Sequence, residues 1–161
     1  MSCFCGLNRS FSECCQPYIL GDKTPNTPEQ LMRSRYSAYA TGSSQYIFNS
    51  YAKEKQPQNP LNDIAQWAKE TRWLALHINQ GNNTSLSDIQ AEQLPTVDFT
   101  AYYLHEKHYY KMNECSRFVI ENNQWHYLDG EVSEHIELAS PKRNDNCFCG
   151  SNRKFKKCCG R

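Results

Sequence analysis

The chain is predicted to be an α+β protein with a small cysteine-built knuckle at each end. Three observations carry this. Helix-period patterns fill the first half of the interior and strand-period patterns the second, the order of an α+β domain. Of nine cysteines, four lie in the first fifteen residues and four in the last fifteen, in one repeated spacing. Apolar residues are 39% and aromatics 12% of 161 residues, enough to build the core of one ordinary domain.

The N-terminal element is Cys3-Phe4-Cys5-Gly6-Leu7-Asn8-Arg9-Ser10-Phe11-Ser12-Glu13-Cys14-Cys15, and it recurs as Cys147-Phe148-Cys149-Gly150-Ser151-Asn152-Arg153-Lys154-Phe155-Lys156-Lys157-Cys158-Cys159. Nine of the thirteen aligned positions are identical, and both copies read C-x-C-x8-C-C. An odd cysteine count with no export signal argues against a disulfide framework. Four thiolates instead close a tetrahedral shell around one zinc ion. A C-x-C pair straddles a tight turn, and Gly6 or Gly150 permits the backbone that such a turn needs. The vicinal cysteines should sit where a short helical turn begins or ends, because adjacent side chains diverge within a helix. Two structural Zn2+ sites are expected, with ligands Cys3, Cys5, Cys14 and Cys15, and Cys147, Cys149, Cys158 and Cys159. The competing readings are an iron–sulfur cluster and redox-active or disulfide-bonded thiols. Knuckles this small are expected to fold only with metal and to unfold independently of the middle when it is removed.

Between them, Thr27-Pro28-Glu29-Gln30 predicts a helix start, with Thr27 as N-cap and Gln30 completing a capping box. Leu31, Ala38 and Tyr39 keep helical spacing until Gly42. Ser44 is expected to cap a second short helix through Tyr51, and Gln56 to Pro60 to break it. Leu61, Ile64, Ala65 and Ala68 give a third helix ending near Thr71. Strands are then predicted at Trp73–Ile78, Val97–His105, Tyr109–Glu121 and Trp125–Leu128, with Asn122-Asn123 as a hairpin tip and a polar loop from Asn83 to Pro95. This divides the chain into a knuckle at 1–20, a domain at 21–140, and a linker with the second knuckle at 141–161.

The formal net charge of +1 hides an asymmetry. Residues 141–161 carry seven basic side chains against Asp145, leaving the rest of the chain mildly acidic. A generic DNA-binding protein would be basic throughout. No apolar run approaches the ~20 residues of a membrane span, and no hydrophobic leader follows Met1. A soluble, cytoplasmic protein is expected.

The C-terminal C-x-C-G-S-x-x-K-x-K-x-C-C-G resembles the SEC-C motif, the zinc-binding tail of the SecA translocation ATPase, with Cys159 where that ATPase commonly has His. A knuckle at both ends, Leu31-Met32-Arg33-Ser34-Arg35-Tyr36 early, and Ser116-Arg117-Phe118 then Trp125-His126-Tyr127-Leu128-Asp129-Gly130 late, together resemble the YchJ family over essentially the whole chain. The first knuckle departs from the motif at Leu7, Ser10, Ser12 and Glu13, which keeps the ligands and removes the charge. The resemblance implies a nuclear-transport-factor-2-like middle domain, a cone of helices over a curved antiparallel sheet, and no reaction.

Such a cone has a concave mouth, and its candidate lining groups are Arg33, Arg35, Tyr36, Trp73, Asp98, Tyr103, Arg117, Trp125 and His126. The bland alternatives are an ion pair with Glu114 or a carbonyl cap for Arg35 and Arg117, and plain core for the tryptophans. The five histidines lack ligand spacing and read as surface groups, and Cys115 as an inert buried thiol. Two function classes follow. The first is a non-enzymatic adaptor whose basic knuckle, through Arg153, Lys154, Lys156 and Lys157, contacts an acidic protein or ribonucleoprotein; the resemblance to the SecA tail favours such a partner. The second is a small-molecule binder or enzyme using the cone pocket, for which no phosphate loop, nucleophile elbow or His/Asp pair is present.

Overall fold

Among the described residues four α-helices precede four strands, and the strands pair in chain order as one antiparallel meander. The computed structural model describes residues 1–88 and 94–161. The predicted loop at 83–95 therefore lies partly outside the described residues. Helix α1 (Gln16–Ile19) follows the first knuckle directly. The long α2 (Pro28–Thr41) begins where the sequence places it: the Thr27 hydroxyl accepts from Gln30 N at 3.2 Å, and Gln30 Oε1 reaches back to Asn26 N at 2.8 Å. The reciprocal bond thus closes one residue earlier than a standard capping box. Gly42 ends the helix in the left-handed region at φ 71°.

Helix α3 (Ser44–Ser50) corrects one expectation: Ser43, not Ser44, holds the cap position, and its hydroxyl bonds Thr41 Oγ1 instead of the helix. Helix α4 (Leu61–Glu70) runs directly into β1 (Thr71–Gln80). Strands β2 (Thr96–His105), β3 (His108–Glu121) and β4 (Gln124–Leu138) follow. Strand β4 extends ten residues past the predicted end at Leu128. Its outer half is exposed on both faces, so no apolar alternation marked it, and ladder bonds to β3 carry it. Both hairpin tips have two consecutive residues at positive φ, Glu106-Lys107 and Asn122-Asn123, as a type I′ turn requires.

Helix α2 lies across one face of the sheet and buries Leu31, Met32 and Tyr36 against Leu76, Val97, Phe99, Ala101, Phe118 and Trp125. Each such large apolar side chain contributes about 1.5–3 kcal/mol when fully buried. A second cluster of Ala38, Ile47, Tyr51 and Ile64 joins α2, α3 and α4. Ala52 N donates to Tyr127 O at 2.8 Å and ties this helical layer to β4. Extra residues at Leu74 and Asn79 on β1, and at Leu128 and Ser133 on β4, bend the sheet around the helices. The result is the α+β cone of helices over an antiparallel sheet, with a cysteine cluster at each end.

Candidate metal centres and central cavity

Each cysteine quartet gathers its four sulfurs within 4.8 Å of one another. The two copies share four equivalent backbone bonds. Cys3 N donates to Arg9 O and Cys147 N to Arg153 O, both at 2.8 Å. Ser2 bridges Ser10 as Asn146 bridges Lys154. Short 3-10 turns at Phe11–Glu13 and Phe155–Lys157 bring the vicinal pair back, and Cys14 and Cys158 terminate them. Gly6 and Gly150 stand at φ 85° and 76° in the return after the C-x-C pair. The vicinal cysteines therefore sit at the turn's end, as adjacent divergent side chains require.

The sulfur spacing tests whether a metal fits. Sγ–Sγ distances are 3.6 Å for Cys5–Cys14, 3.9 Å for Cys14–Cys15, 3.5 Å for Cys149–Cys158 and 3.9 Å for Cys158–Cys159. Four sulfurs at about 2.3 Å from a central ion in a tetrahedron stand about 3.8 Å apart. All nine cysteines are free thiols. The electrostatics agree with a cation site. In the first quartet a hydrogen bond from Cys15 draws Cys5 down to about 5 against its burial, while burial and the neighbouring thiols push Cys14 up to about 12 and a bond to Cys5 holds Cys15 high. In the second, burial raises Cys149 and Cys159. Burial opposes ionisation of Cys158 too, but bonds from Ser151, Cys149 and Cys147 outweigh it and bring the thiol to about 7. One thiolate forms readily per quartet and suppresses the next, so four together call for a cation.

Surroundings separate the two copies. Cys3, Cys5 and Cys15 are members of the main core beside Leu31, Met32 and Tyr36. Cys3 Sγ lies 3.7 Å from Ser37 Oγ, and Arg33 Nη1 donates to Cys5 O at 2.7 Å while its Nε pairs with Glu29. The first knuckle thus packs into the core of the domain. Cys147, Cys149, Phe155 and Cys159 form their own small cluster against Leu74, Ala75, Tyr102 and Tyr109. Tyr102 alternates with the core residues Ala101 and Tyr103, so this knuckle sits on the sheet's opposite face.

Beneath α2 lies a cavity of about 230 Å³. Arg35, Tyr36, Trp73 and Tyr103 line it; Arg33, Asp98, Arg117, Trp125 and His126 do not. Arg33 clamps the first knuckle. Asp98 accepts from Asn79 Nδ2 at 2.7 Å, and Arg117 makes a two-pronged pair with Asp129, not Glu114, at 2.6 and 2.7 Å. Trp125 is core, donating to Asn26 O at 3.0 Å, and His126 Nδ1 meets Gln124 O. Arg35 is 4% exposed, donates to Ile47 O and Ser50 Oγ, and lies between the rings of Tyr51 and Tyr127. Burial opposes its charge, yet the oxygens of Tyr51, Tyr39 and Tyr127 hold it above the ordinary guanidinium range. The cavity residues that sequence reasoning missed include Tyr39, Trp67, Glu114 and Tyr127. Glu114 Oε1 accepts from Tyr127 Oη and Ser116 Oγ at 2.7 and 2.8 Å. No helix is long and apolar enough to cross a membrane among the described residues.

Comparison with known proteins places these features in a family. Residues 27–130 match the family model "YchJ, middle NTF2-like domain", and residues 143–161 match the SEC-C motif. A UPF0225 protein of Vibrio parahaemolyticus is 36% identical over 99% of this chain and 98% of its own length. One from Photorhabdus laumondii is 38% identical over 98% of each. The crystal structure of a SEC-C motif containing protein from Psychrobacter arcticus superposes with a TM-score of 0.68 at 31% identity, covering 99% of this chain and 96% of that one. The solution structure of another, from Rhodopseudomonas palustris, gives 0.71 at 26% identity over 83% and 100%. With its central cone, its SEC-C motif and relatives matching end to end, the chain belongs to the YchJ (UPF0225) family.

Proposed function

We propose that both quartets hold zinc and that the protein is a cytoplasmic, non-enzymatic adaptor whose C-terminal knuckle contacts an acidic protein or ribonucleoprotein surface. One observation carries the reading. The second knuckle turns its cysteines and Phe155 onto the sheet and leaves Arg153, Lys154 and Lys157 exposed, with Lys156 half-buried. Among the described residues no carboxylate pairs with any of these four side chains. Zinc follows from a closed all-sulfur shell with no open position for water, the arrangement of structural rather than catalytic sites. A closed Zn(Cys)4 unit carries −2, so residues 141–161 fall from a formal +6 to about +4. The first knuckle, where Arg9 and Glu13 cancel, stays near −2. Only the second attracts an acidic partner.

The test reverses Lys154, Lys156 and Lys157 to Glu together. Zinc content and melting temperature should not change, because none of the three holds a ligand or a buried pair. Partners recovered by pull-down should be lost, and the salt dependence between about 50 and about 200 mM should flatten as phosphate- or carboxylate-facing charges disappear. Partner binding that survives the reversal at physiological salt rules this face out.

A further inference from the structure

Arg35 is a buried charge without a counter-charge. It is 4% exposed, and among the described residues no carboxylate pairs with it. Its bonds to Ile47 O and Ser50 Oγ both leave from Nη1. Its Cζ rests 4.5 and 4.3 Å from the ring centres of Tyr51 and Tyr127. The other edge of the guanidinium, Nε and Nη2, has no hydrogen-bond partner among the described residues. Nor is that edge sealed. Among the described residues, the buried polar side-chain atoms that lack both a partner and accessible surface are Tyr36 Oη and Trp73 Nε1. The space that Arg35 borders is the cavity of about 230 Å³ under α2, and its open edge faces there. A guanidinium does not shed its proton, and an uncompensated buried charge is costly, so the edge asks for an anion. Two parallel N–H groups in one plane match the two oxygens of a carboxylate.

The cavity's other charge is Glu114. Tyr127 Oη and Ser116 Oγ donate to its Oε1 at 2.7 and 2.8 Å, while Oε2 has no partner among the described residues. Its place is prepared from β4. Gly130 lies opposite Ser116 in the ladder, and a Cβ there would collide with the Glu114 carboxylate. Gly130 is not at positive φ, so what the position needs is the missing side chain. Tyr127 joins the two charges, its ring under Arg35 and its hydroxyl on Glu114. A fixed cation and a fixed anion thus stand about one tyrosine apart, each with an open side. The rings of Trp67, Trp73 and Tyr103, packed on one another at 5.3–5.8 Å, form an apolar wall of the same space. We infer that the cavity binds a small zwitterion, an α-amino acid with an apolar or aromatic side chain. Its carboxylate lies on the Nε–Nη2 edge of Arg35, its ammonium on Glu114 Oε2, and its side chain against the aromatic wall. A cavity of about 150 Å³ accommodates benzene, so this one has room for a ring and a short polar chain. The inference uses no residue of the basic face and fails separately from the adaptor reading.

The experiment uses the full-length chain and three probes with the same ring and chain: phenylalanine, 3-phenylpropionate, which lacks the ammonium, and phenethylamine, which lacks the carboxylate. Affinities come from calorimetry. The site is read from the methyl resonances of Met32 and Met112, both cavity residues, with the exposed Met1 as internal control. Phenylalanine should bind about tenfold more tightly than either single-charge probe, because each of those leaves one buried charge unanswered. Glu114→Gln keeps an oxygen for Tyr127 and Ser116 and removes the charge. It should cut phenylalanine affinity about tenfold and leave 3-phenylpropionate no weaker, since that probe loses only a repelling neighbour. Gly130→Ala should push the flexible Glu114 side chain aside and weaken phenylalanine in the same direction, by about threefold. The three-probe series needs no variant, so it decides even where a substitution unfolds the chain. Either single-charge probe binding as tightly as phenylalanine, phenylalanine affinity unmoved in both folded variants, or no shift of the Met32 and Met112 methyls at millimolar phenylalanine would overturn the proposal.

Discussion

The two knuckles share nine of thirteen residues, four equivalent backbone bonds and the same sulfur spacing, yet the fold uses them differently. The first is inserted into the core: Cys3, Cys5 and Cys15 pack with Leu31, Met32 and Tyr36, and Arg33 crosses from α2 to the Cys5 carbonyl. The second is laid on the outer sheet face through Phe148, Phe155, Tyr102 and Tyr109, with rings 5.5–5.8 Å apart. Both approach β1, which pairs only with β2 and so has a free edge. Gly6 lies against Leu76 O, and Cys159 Sγ approaches Leu74 O at 4.0 Å. Covering an edge strand is one way a sheet avoids pairing with other chains. The local motif fixes a metal-sized hole; what surrounds it decides whether that hole staples the core or presents a surface.

Ligand removal gives the largest separation between the two. Cys5→Ser and Cys149→Ser should each lower zinc from about two ions per chain to about one, as elemental analysis would read. The stability losses should differ. Opening the first site leaves an imperfect core and should cost about 3–5 kcal/mol, or about 10–15 °C in a chain of this length. The second site rests on the sheet, and its loss should cost about 1–2 kcal/mol. Amide exchange should then show lost protection across α2 and β1 in the first variant and only within the C-terminal segment in the second. Equal shifts would break the comparison, making both knuckles appendages or both core.

A glycine pair sharpens the same contrast without touching a ligand. Gly6 and Gly150 are equivalent in the repeat and both lie at positive φ, so alanine at either position costs about 1–2 kcal/mol in backbone strain. A Cβ on Gly6 would also stand 2.9 Å from Leu76 O, a backbone atom that cannot move aside, whereas a Cβ on Gly150 meets nothing within 4 Å. Gly6→Ala should therefore be worse than Gly150→Ala by about another 1 kcal/mol in denaturant titration. Identical midpoints would mean that the first knuckle can retreat from β1.

The ends of the chain were more legible than its middle. Cysteine spacing is a local signal, and it yielded both quartets, the helical return and the glycine turn. Thr27, Gly42 and Asn122-Asn123 marked their boundaries for the same reason. The cavity was harder because its lining depends on strand parity. Asp98, Arg117 and His126 were chosen for their chemistry, but the residues facing the cavity are their neighbours Phe99, Ser116 and Tyr127. One step along a strand exchanges the two faces, and the extra residues Leu128 and Ser133 reset the alternation along β4, while β3 alternates unbroken through Met112, Glu114, Ser116 and Phe118. On α2, Arg33 and Arg35 likewise point to different places, one at the knuckle and one into the cavity. Embedding of the first knuckle is a tertiary fact with no local mark, since Leu7, Ser10, Ser12 and Glu13 advertise only the missing charge.

That missing charge sets the smallest expected effect. Ser12 and Glu13 are exposed on the first knuckle, and Glu13 Oε2 accepts only from Ser10 Oγ, at 2.5 Å. Ser12→Lys with Glu13→Lys should therefore change stability by less than about 0.5 kcal/mol and leave zinc content at wild-type level. Placed in the chain already carrying the triple lysine reversal, the two new lysines ask whether a partner reads charge alone or charge at one position. With Arg9 and a closed metal site they bring the first knuckle to about +1, against about +4 at the native C-terminal face, and they sit on a body whose residues 1–140 are formally −5. The field they create is weak and falls off within the ~8 Å screening length at physiological salt. Binding should stay lost in a pull-down at that salt. Full recovery would show that the two knuckles are interchangeable as surfaces once their charges match, and that the outer sheet face contributes nothing to recognition.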